Sequence, residues 1–145
     1  MKATIERLKK KGVTLTPQRL AVIEYLKGRH DHPCVEEIFN AIKKKYPSMS
    51  PATVYSTLQL LRDIGEIQEL HIRGDKACYD PIPERHHHLL CRECGRVVNV
   101  EVTCPIIRNK SISGHKIEEV QAYLYGVCAE CFKREKPQKS KEVKK

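Results

Sequence analysis

SPATVYSTLQLLRDIGEIQELHIRGDKACYD, residues 50–80, decides the fold. Ser50 followed by Pro51 is a helix-start signal. A hydroxyl side chain caps the first free N–H groups, and proline occupies the first helical position, where its missing N–H costs nothing. The helix predicted from Pro51 to about Ile64 ends at Gly65. Val54, Leu58 and Leu61 share one face at helical spacing, leaving Thr53, Tyr55, Ser56, Thr57, Gln59 and Arg62 for the others. Beyond it, Ile67 to Arg73 and Ala77 to Asp80 read as two strands around a turn at Gly74-Asp75. Working upstream, Thr16-Pro17 repeats the cap-plus-proline signature and opens a helix that stops near Gly28, with Leu20, Ile23 and Leu26 on one face. A short amphipathic helix from Ala3 to Lys11, ended by Gly12, precedes it. Another, from about Cys34 to Lys45, carries Val35, Ile38, Phe39 and Ile42. Helices closed by a hairpin predict a winged helix-turn-helix, and small polar and aromatic side chains on the last helix suit insertion into a DNA major groove.

Downstream the chain becomes strand-rich and carries its metal chemistry. Cys91-Arg-Glu-Cys94 and Cys128-Ala-Glu-Cys131 are two C-x-x-C doublets, and four thiolates in that arrangement close a tetrahedral zinc site that staples distant segments. Disulfides are the competing reading. With no signal peptide and no long apolar run, the sequence points to the cytoplasm, where thiols stay reduced. A redox C-x-x-C of thioredoxin type would need a βαβ context, which the pattern lacks. Next to the first doublet, His86-His87-His88 places His86 and His88 on one side of a strand and His87 on the other. Imidazole nitrogens suit iron, manganese or zinc. The expected architecture is α+β, a winged-helix domain followed by a small α/β domain with a structural zinc site.

The 145 residues, 40% of them hydrophobic, suffice for one sizeable core or two small ones. The net charge of +9 is unevenly spread. After Phe132 there are seven basic and two acidic residues, whereas residues 81–132 hold six of each. The amino-terminal 80 residues, with fourteen basic and ten acidic, are therefore the expected partner of an acidic polymer, and the Lys-rich tail reads as disordered. The expected boundaries are 1–80 for DNA binding, 81–132 for dimerisation and metal binding, and 133–145 for the tail. A metal-dependent hydrolase is a weaker reading, because no H-E-x-x-H or comparable arrangement accompanies the ligands.

Several motifs in order resemble the ferric uptake regulator family of metal-dependent bacterial repressors. They are Leu15-Thr16-Pro17-Gln18-Arg19, His32-Pro33 ahead of Val35-Glu36-Glu37-Ile38, Ala52-Thr53-Val54-Tyr55-Ser56-Thr57-Leu58, His86-His87-His88-Leu89-Leu90-Cys91, and Tyr125-Gly126-Val127-Cys128. The resemblance implies a homodimer that binds an A·T-rich inverted repeat of double-stranded DNA. It further implies structural Zn2+ on Cys91, Cys94, Cys128 and Cys131, and regulatory Fe2+ or Mn2+ on His32, Asp80, His86 and His88. Aspartate at position 80 resembles the peroxide-sensing branch. Tyr55 resembles that family's recognition-helix tyrosine, with Thr53, Ser56 and Thr57 beside it, while Arg19 and Lys9 to Lys11 are candidates for backbone contacts.

Three departures from the family pattern stand out. Where peroxide sensors carry aspartate and iron sensors glutamate, this chain has Asn99, whose neutral oxygen is the weaker ligand; Glu101, two residues on, is the candidate substitute. Val120 stands where relatives with an extra metal site often have histidine, so that site is not expected. Pro105 to Gly114, which should hold a helix of the second domain, is poor in helix formers. Cys34, Cys78 and Cys104 read as small buried hydrophobes, although Cys78 lies two positions before Asp80 on the same strand face and could lend sulfur to a zinc sensor. The function read from all this is a metal-dependent repressor sensing peroxide through oxidation of histidine ligands. An iron- or zinc-responsive repressor on the same fold is the alternative.

Overall fold

The structure is a computed structural model that describes residues 2–82, 84, 86–102, 111–118 and 120–135. It divides into two compact units, Met1–Arg85 and His86–Lys145. No helix among the described residues is long and apolar enough to cross a membrane.

In the first unit four helices precede a hairpin: α1 Lys2–Lys10, α2 Pro17–Leu26, α3 Val35–Lys43, α4 Pro51–Asp63, β1 Gln68–Arg73 and β2 Lys76–Asp80. The cap chemistry is realised at both prolines. Thr16 Oγ1 accepts from the Arg19 N–H at 3.3 Å and Ser50 Oγ from the Thr53 N–H at 3.1 Å. At α3 the Glu37 side chain accepts from the Cys34 N–H at 2.7 Å, satisfying a helix-start donor. Val22, Ile23, Leu26, Val35, Ile38, Ile42, Val54, Leu58, Leu61 and Ile67 fill one continuous core. Leu20, expected on the inner face of α2, is instead exposed, and Val22 is buried in its stead. The antiparallel wing pairs Gln68 with Asp80 and Leu70 with Cys78. Gly74 turns it with φ 73°, a conformation that glycine adopts without a Cβ clash.

The expected end of this domain at residue 80 is passed by a few residues. Gln68 Nε2 donates to the carbonyls of Ile82 and Glu84 at 2.8 and 2.9 Å, fastening the chain just beyond the wing to β1.

The second unit holds β3 His87–Cys91, β4 Val97–Val100, β5 Ser111–Ile112, β6 His115–Lys116, β7 Tyr123–Gly126 and α5 Ala129–Glu135. β3 is the central strand of the order β4-β3-β7, antiparallel to β4 and parallel to β7. The helix that the family pattern would put across Pro105–Gly114, a segment poor in helix formers, is not formed at its described end. Ser111–Ile112 instead pairs with His115–Lys116 around Ser113 and Gly114, the small turn residues that made the segment a poor helix. The remainder of that segment, with Cys104, lies outside the described residues, as does the tail from 136 on. Of the expected disordered tail, Lys133 and Arg134 are helical, because α5 starts between the second pair of cysteines and runs on past them.

Candidate metal centres and nucleic-acid face

Cys91 ends β3, and the turn that follows brings Cys94 back beneath it. The Gly95 N–H donates to the Cys91 carbonyl and the Cys91 N–H to the Arg96 carbonyl, both at 2.9 Å. β7 runs parallel to β3, with Gly126 opposite Cys91, so the chain leaving β7 delivers Cys128 and then the first turn of α5 with Cys131 to the same place. The four sulfurs lie within 4.8 Å of one another, three of them on buried residues. Cys94 Sγ and Cys128 Sγ are 3.8 Å apart. Zn–S bonds of about 2.3 Å at tetrahedral angles put neighbouring sulfurs about 3.8 Å apart, so the donor set fits zinc.

Polar groups around the Cys91 and Cys94 sulfurs favour their thiolates. The Cys128 N–H donates to Cys91 Sγ at 3.3 Å, and hydrogen bonds of this kind hold the Cys91 thiol below its ordinary pKa. Arg96 Nε lies 3.4 Å from Cys94 Sγ, and its guanidinium brings that thiol down to about 6. Arg134 Nη2 reaches Cys131 Sγ at 3.5 Å, yet burial dominates there and pushes the Cys131 thiol up to about 12. A thiol held protonated by burial is one that a divalent cation ionises by binding it. Sequence reasoning missed Arg96 and Arg134. The available signal was a cation two or three residues after a cysteine of each doublet.

Each unit also holds a further pair of candidate metal ligands. In the first, His32 Nε2 and Asp80 Oδ2 are 3.3 Å apart with both side chains fully buried. His32 precedes α3 in a left-handed conformation, φ 51°, which is uncommon for a residue with a Cβ. In the second unit, the rings of His86 and His88 are 4.5 Å apart, as alternation along a strand requires. His88 is buried and His86 half-buried, and His87, on the opposite side, is buried too. Asn99 lies directly across the ladder from His88, hence on the same face of the sheet, but is exposed. Glu101 is exposed beyond the end of β4.

The expected DNA-contacting residues divide. On α4, Tyr55 is 55% exposed, the largest solvent-facing side chain of that helix, with Ser56 exposed beside it. Thr53 is half-buried, its hydroxyl 2.8 Å from the Ser50 hydroxyl. Thr57 is a correction: it is 1% exposed, and its hydroxyl donates back to the Thr53 carbonyl at 2.7 Å, so it packs in the core rather than facing a groove. A threonine hydroxyl satisfied within its own helix can be buried at little cost. Arg19 is half-buried near the start of α2, and its Nη1 donates to the Thr14 carbonyl at 2.6 Å.

A second correction concerns the remaining thiols. Cys34 and Cys78, read as independent buried hydrophobes, are bonded to each other. Cys78 is thereby engaged as a disulfide rather than as a spare metal ligand.

Residues 10–125 match the Ferric uptake regulator family. The peroxide operon regulator of Bacillus subtilis (strain 168) is 36% identical over 143 residues, covering 93% of this chain and 95% of its own. Among solved structures, the Campylobacter jejuni peroxide stress regulator is 34% identical with TM-score 0.63, covering 88% of this chain and 98% of that one. The ferric uptake regulator of Helicobacter pylori, described as having three functional metal binding sites, is 26% identical with TM-score 0.69, covering 90% and 93%.

Proposed function

Because the chain belongs to the ferric uptake regulator family, we propose that it is a metal-dependent transcriptional repressor that releases DNA when peroxide oxidises its regulatory site. The observation that carries this reading is the pair of thiolate-free ligand sets, His32 with Asp80 and His86 with His88, combined with likeness to peroxide-responsive regulators along nearly the whole chain. One carboxylate with imidazoles suits Fe2+ or Mn2+. A thiolate would have favoured zinc, and the sulfur nearest to Asp80 in sequence is bonded to Cys34.

In this reading, Cys91, Cys94, Cys128 and Cys131 hold structural Zn2+ and keep β3, β7 and α5 together. His32 and Asp80 supply one half of the regulatory site, and His86 and His88 the other. Six positions separate Asp80 from His86, a span of at most about 21 Å, so the halves are tethered at high effective concentration. Sharing one ion ties the two domains at a fixed angle, and in a homodimer that angle sets the spacing of two α4 helices over an A·T-rich inverted repeat. Tyr55 then meets base edges, where a ring face suits a thymine methyl, while Thr53, Ser56 and Arg19 fix the register on the backbone. This role places the protein in the cytoplasm and assigns it no enzymatic turnover.

Fe2+ held by His32, Asp80, His86 and His88 would supply the electrons for peroxide reduction beside these same ligands. His32 or His86, on gaining oxygen, loses ligating power, and the domain tie is released. The test is peptide mass spectrometry after a peroxide challenge of the iron-loaded protein on DNA. One added oxygen on His32 or His86 with loss of binding is expected, and Mn2+ should protect. Iron-loaded protein that stays on DNA unmodified would overturn peroxide sensing.

A further inference from the structure

Cys34, in the loop leading into α3, and Cys78, in β2, are joined by a disulfide across a sequence separation of 44. Their backbones form an isolated antiparallel bridge, and the adjacent Tyr79 N–H donates to the Pro33 carbonyl at 3.0 Å. Cys34 stands two residues after His32, and Cys78 two before Asp80. The cross-link therefore joins the two short segments that carry the contacting pair His32 and Asp80. We propose that Cys34 and Cys78 are a redox modification site, a dithiol–disulfide couple oxidised by hydroperoxide, whose closed form fixes the geometry of the His32–Asp80 pair.

The chemistry balances with a hydroperoxide as oxidant. Cys34 is 8% exposed and Cys78 fully buried, so Cys34 meets the oxidant first. Its sulfur attacks the outer peroxide oxygen; the S–O bond forms, the O–O bond breaks, and the leaving oxygen departs as water or alcohol with the thiol proton. Cys78 sulfur then attacks the Cys34 sulfenic sulfur, forming S–S and expelling the oxygen as a second water with its own proton. Two electrons leave the thiol pair and reduce one peroxide. A dithiol reductant reverses the process by exchange, attacking the more accessible Cys34 sulfur.

The consequence for the metal follows from geometry. With the cross-link open, the left-handed backbone of His32 loses one covalent restraint, leaving the surrounding packing, its contact with Asp80 and the Pro33–Tyr79 hydrogen bond. With it closed, the loop is ordered before any ion arrives. Ordering about one residue in advance is equivalent to a factor of about ten in affinity. Linkage makes the effect reciprocal: an ion that prefers the closed form makes the disulfide harder to reduce by the same factor. This metal half rests on the ligand assignment proposed above; the thiol half does not.

The test uses the full-length zinc-loaded protein, reduced and then freed of reductant, with Mn2+ present to suppress iron chemistry. Samples before and after hydrogen peroxide are denatured with chelator and alkylated. The seven cysteines should all alkylate before oxidation, and after it a peptide joining Cys34 to Cys78 should appear with both lost from the alkylated set. C34S should abolish the joined peptide. Because that variant could unfold, Mn2+ affinity is compared between the oxidised and reduced wild type, with about tenfold tighter binding expected in the oxidised form. In a thiol redox buffer, saturating Mn2+ should lower the couple's midpoint by about 30 mV, the same tenfold factor for two electrons. Seven alkylated cysteines after peroxide would overturn the modification site. A cross-link that leaves both Mn2+ affinity and midpoint unchanged would overturn its coupling to the metal pair. Absence of Mn2+ binding in both forms would refute the ligand assignment and the coupling together, while the peptide map still decides the couple.

Discussion

Replacing Cys128 by serine should unfold the second unit while leaving the first intact. Among its described residues, the buried hydrophobic positions are Cys91, Val97, Cys128 and Cys131. The sulfur cluster has only Leu89, Val98 and Val127, all partly buried, packed against it. Burying one such aliphatic side chain completely is worth about 2 kcal/mol, so Val97 and these three together contribute at most about 8 kcal/mol, and less for their residual exposure. A structural zinc contributes on the order of 10–16 kcal/mol. The ion therefore outweighs Val97 and the apolar side chains packed on the sulfur cluster taken together. By contrast, thirteen buried residues among those described form the core of the first unit, with Val22, Ile38, Val54 and Leu58 wholly sealed from solvent. Serine at position 128 removes one ligand and the sulfur 3.8 Å from Cys94, and leaves the Arg96 guanidinium facing fewer anions.

Hydrogen exchange read peptide by peptide, with zinc content measured on the same samples, checks this. Amides of β3, β7 and α5 should lose protection in Cys128→Ser and in chelator-treated wild type, while those of α2, α3 and α4 keep theirs. Zinc-free protein whose β3 and β7 amides stay as protected as in the zinc-loaded form would refute the reasoning.

Other outcomes follow from the same geometry. The Cys94 thiol, held at about 6 by Arg96, ionises well below its unfolded value of about 8.5; its contribution to stability is fully present above the unfolded value and is lost as pH falls through about 6. Arg96→Ala should raise the pH at which the zinc-loaded protein releases its metal on acidification, and an unmoved release midpoint would assign the depression to another group. Tyr55→Ala should reduce discrimination between operator and random DNA, whereas Arg19→Ala should lower affinity for both alike, as binding titrations at fixed salt would reveal. Thr57→Val should cost about 1 kcal/mol of stability or less and leave operator discrimination unchanged; a specificity change would return Thr57 to the DNA face. Asn99→Asp should tighten Mn2+ binding, because a carboxylate there would stand across the ladder from His88, whereas Glu101→Ala, altering an exposed residue beyond β4, should leave it unchanged. Calorimetry separates the two.

What the sequence made legible was chemistry carried by neighbours in the chain. Thr16-Pro17 and Ser50-Pro51 place two helix starts because the capping oxygen and the N–H it satisfies are three residues apart. The spacings C-x-x-C and H-x-H work the same way: a short turn or one strand repeat carries both ligands of each pair. The misreadings arose where polarity stood in for position. Thr57 reads as outward because it is polar, yet its hydroxyl is satisfied by its own helix, so nothing opposes its burial. Leu20 reads as inward because it is apolar, yet the inner face of α2 runs through Val22, Ile23 and Leu26.

The Cys34–Cys78 bond was illegible for a different reason. No local rule links two cysteines across a sequence separation of 44; their meeting depends on the wing folding back so that Tyr79 reaches the Pro33 carbonyl. The meeting of His32 with Asp80 depends on the same return of the chain, and only resemblance to a family put those two residues together in advance. Both pairs hang on one short backbone contact, that of residues 33–34 with 78–79. A change that loosens this contact without touching any ligand or thiol, such as Tyr79→Ala with its buried ring removed, should therefore weaken Mn2+ binding and disulfide formation together. Loss of one with the other intact would show that the two pairs are held independently.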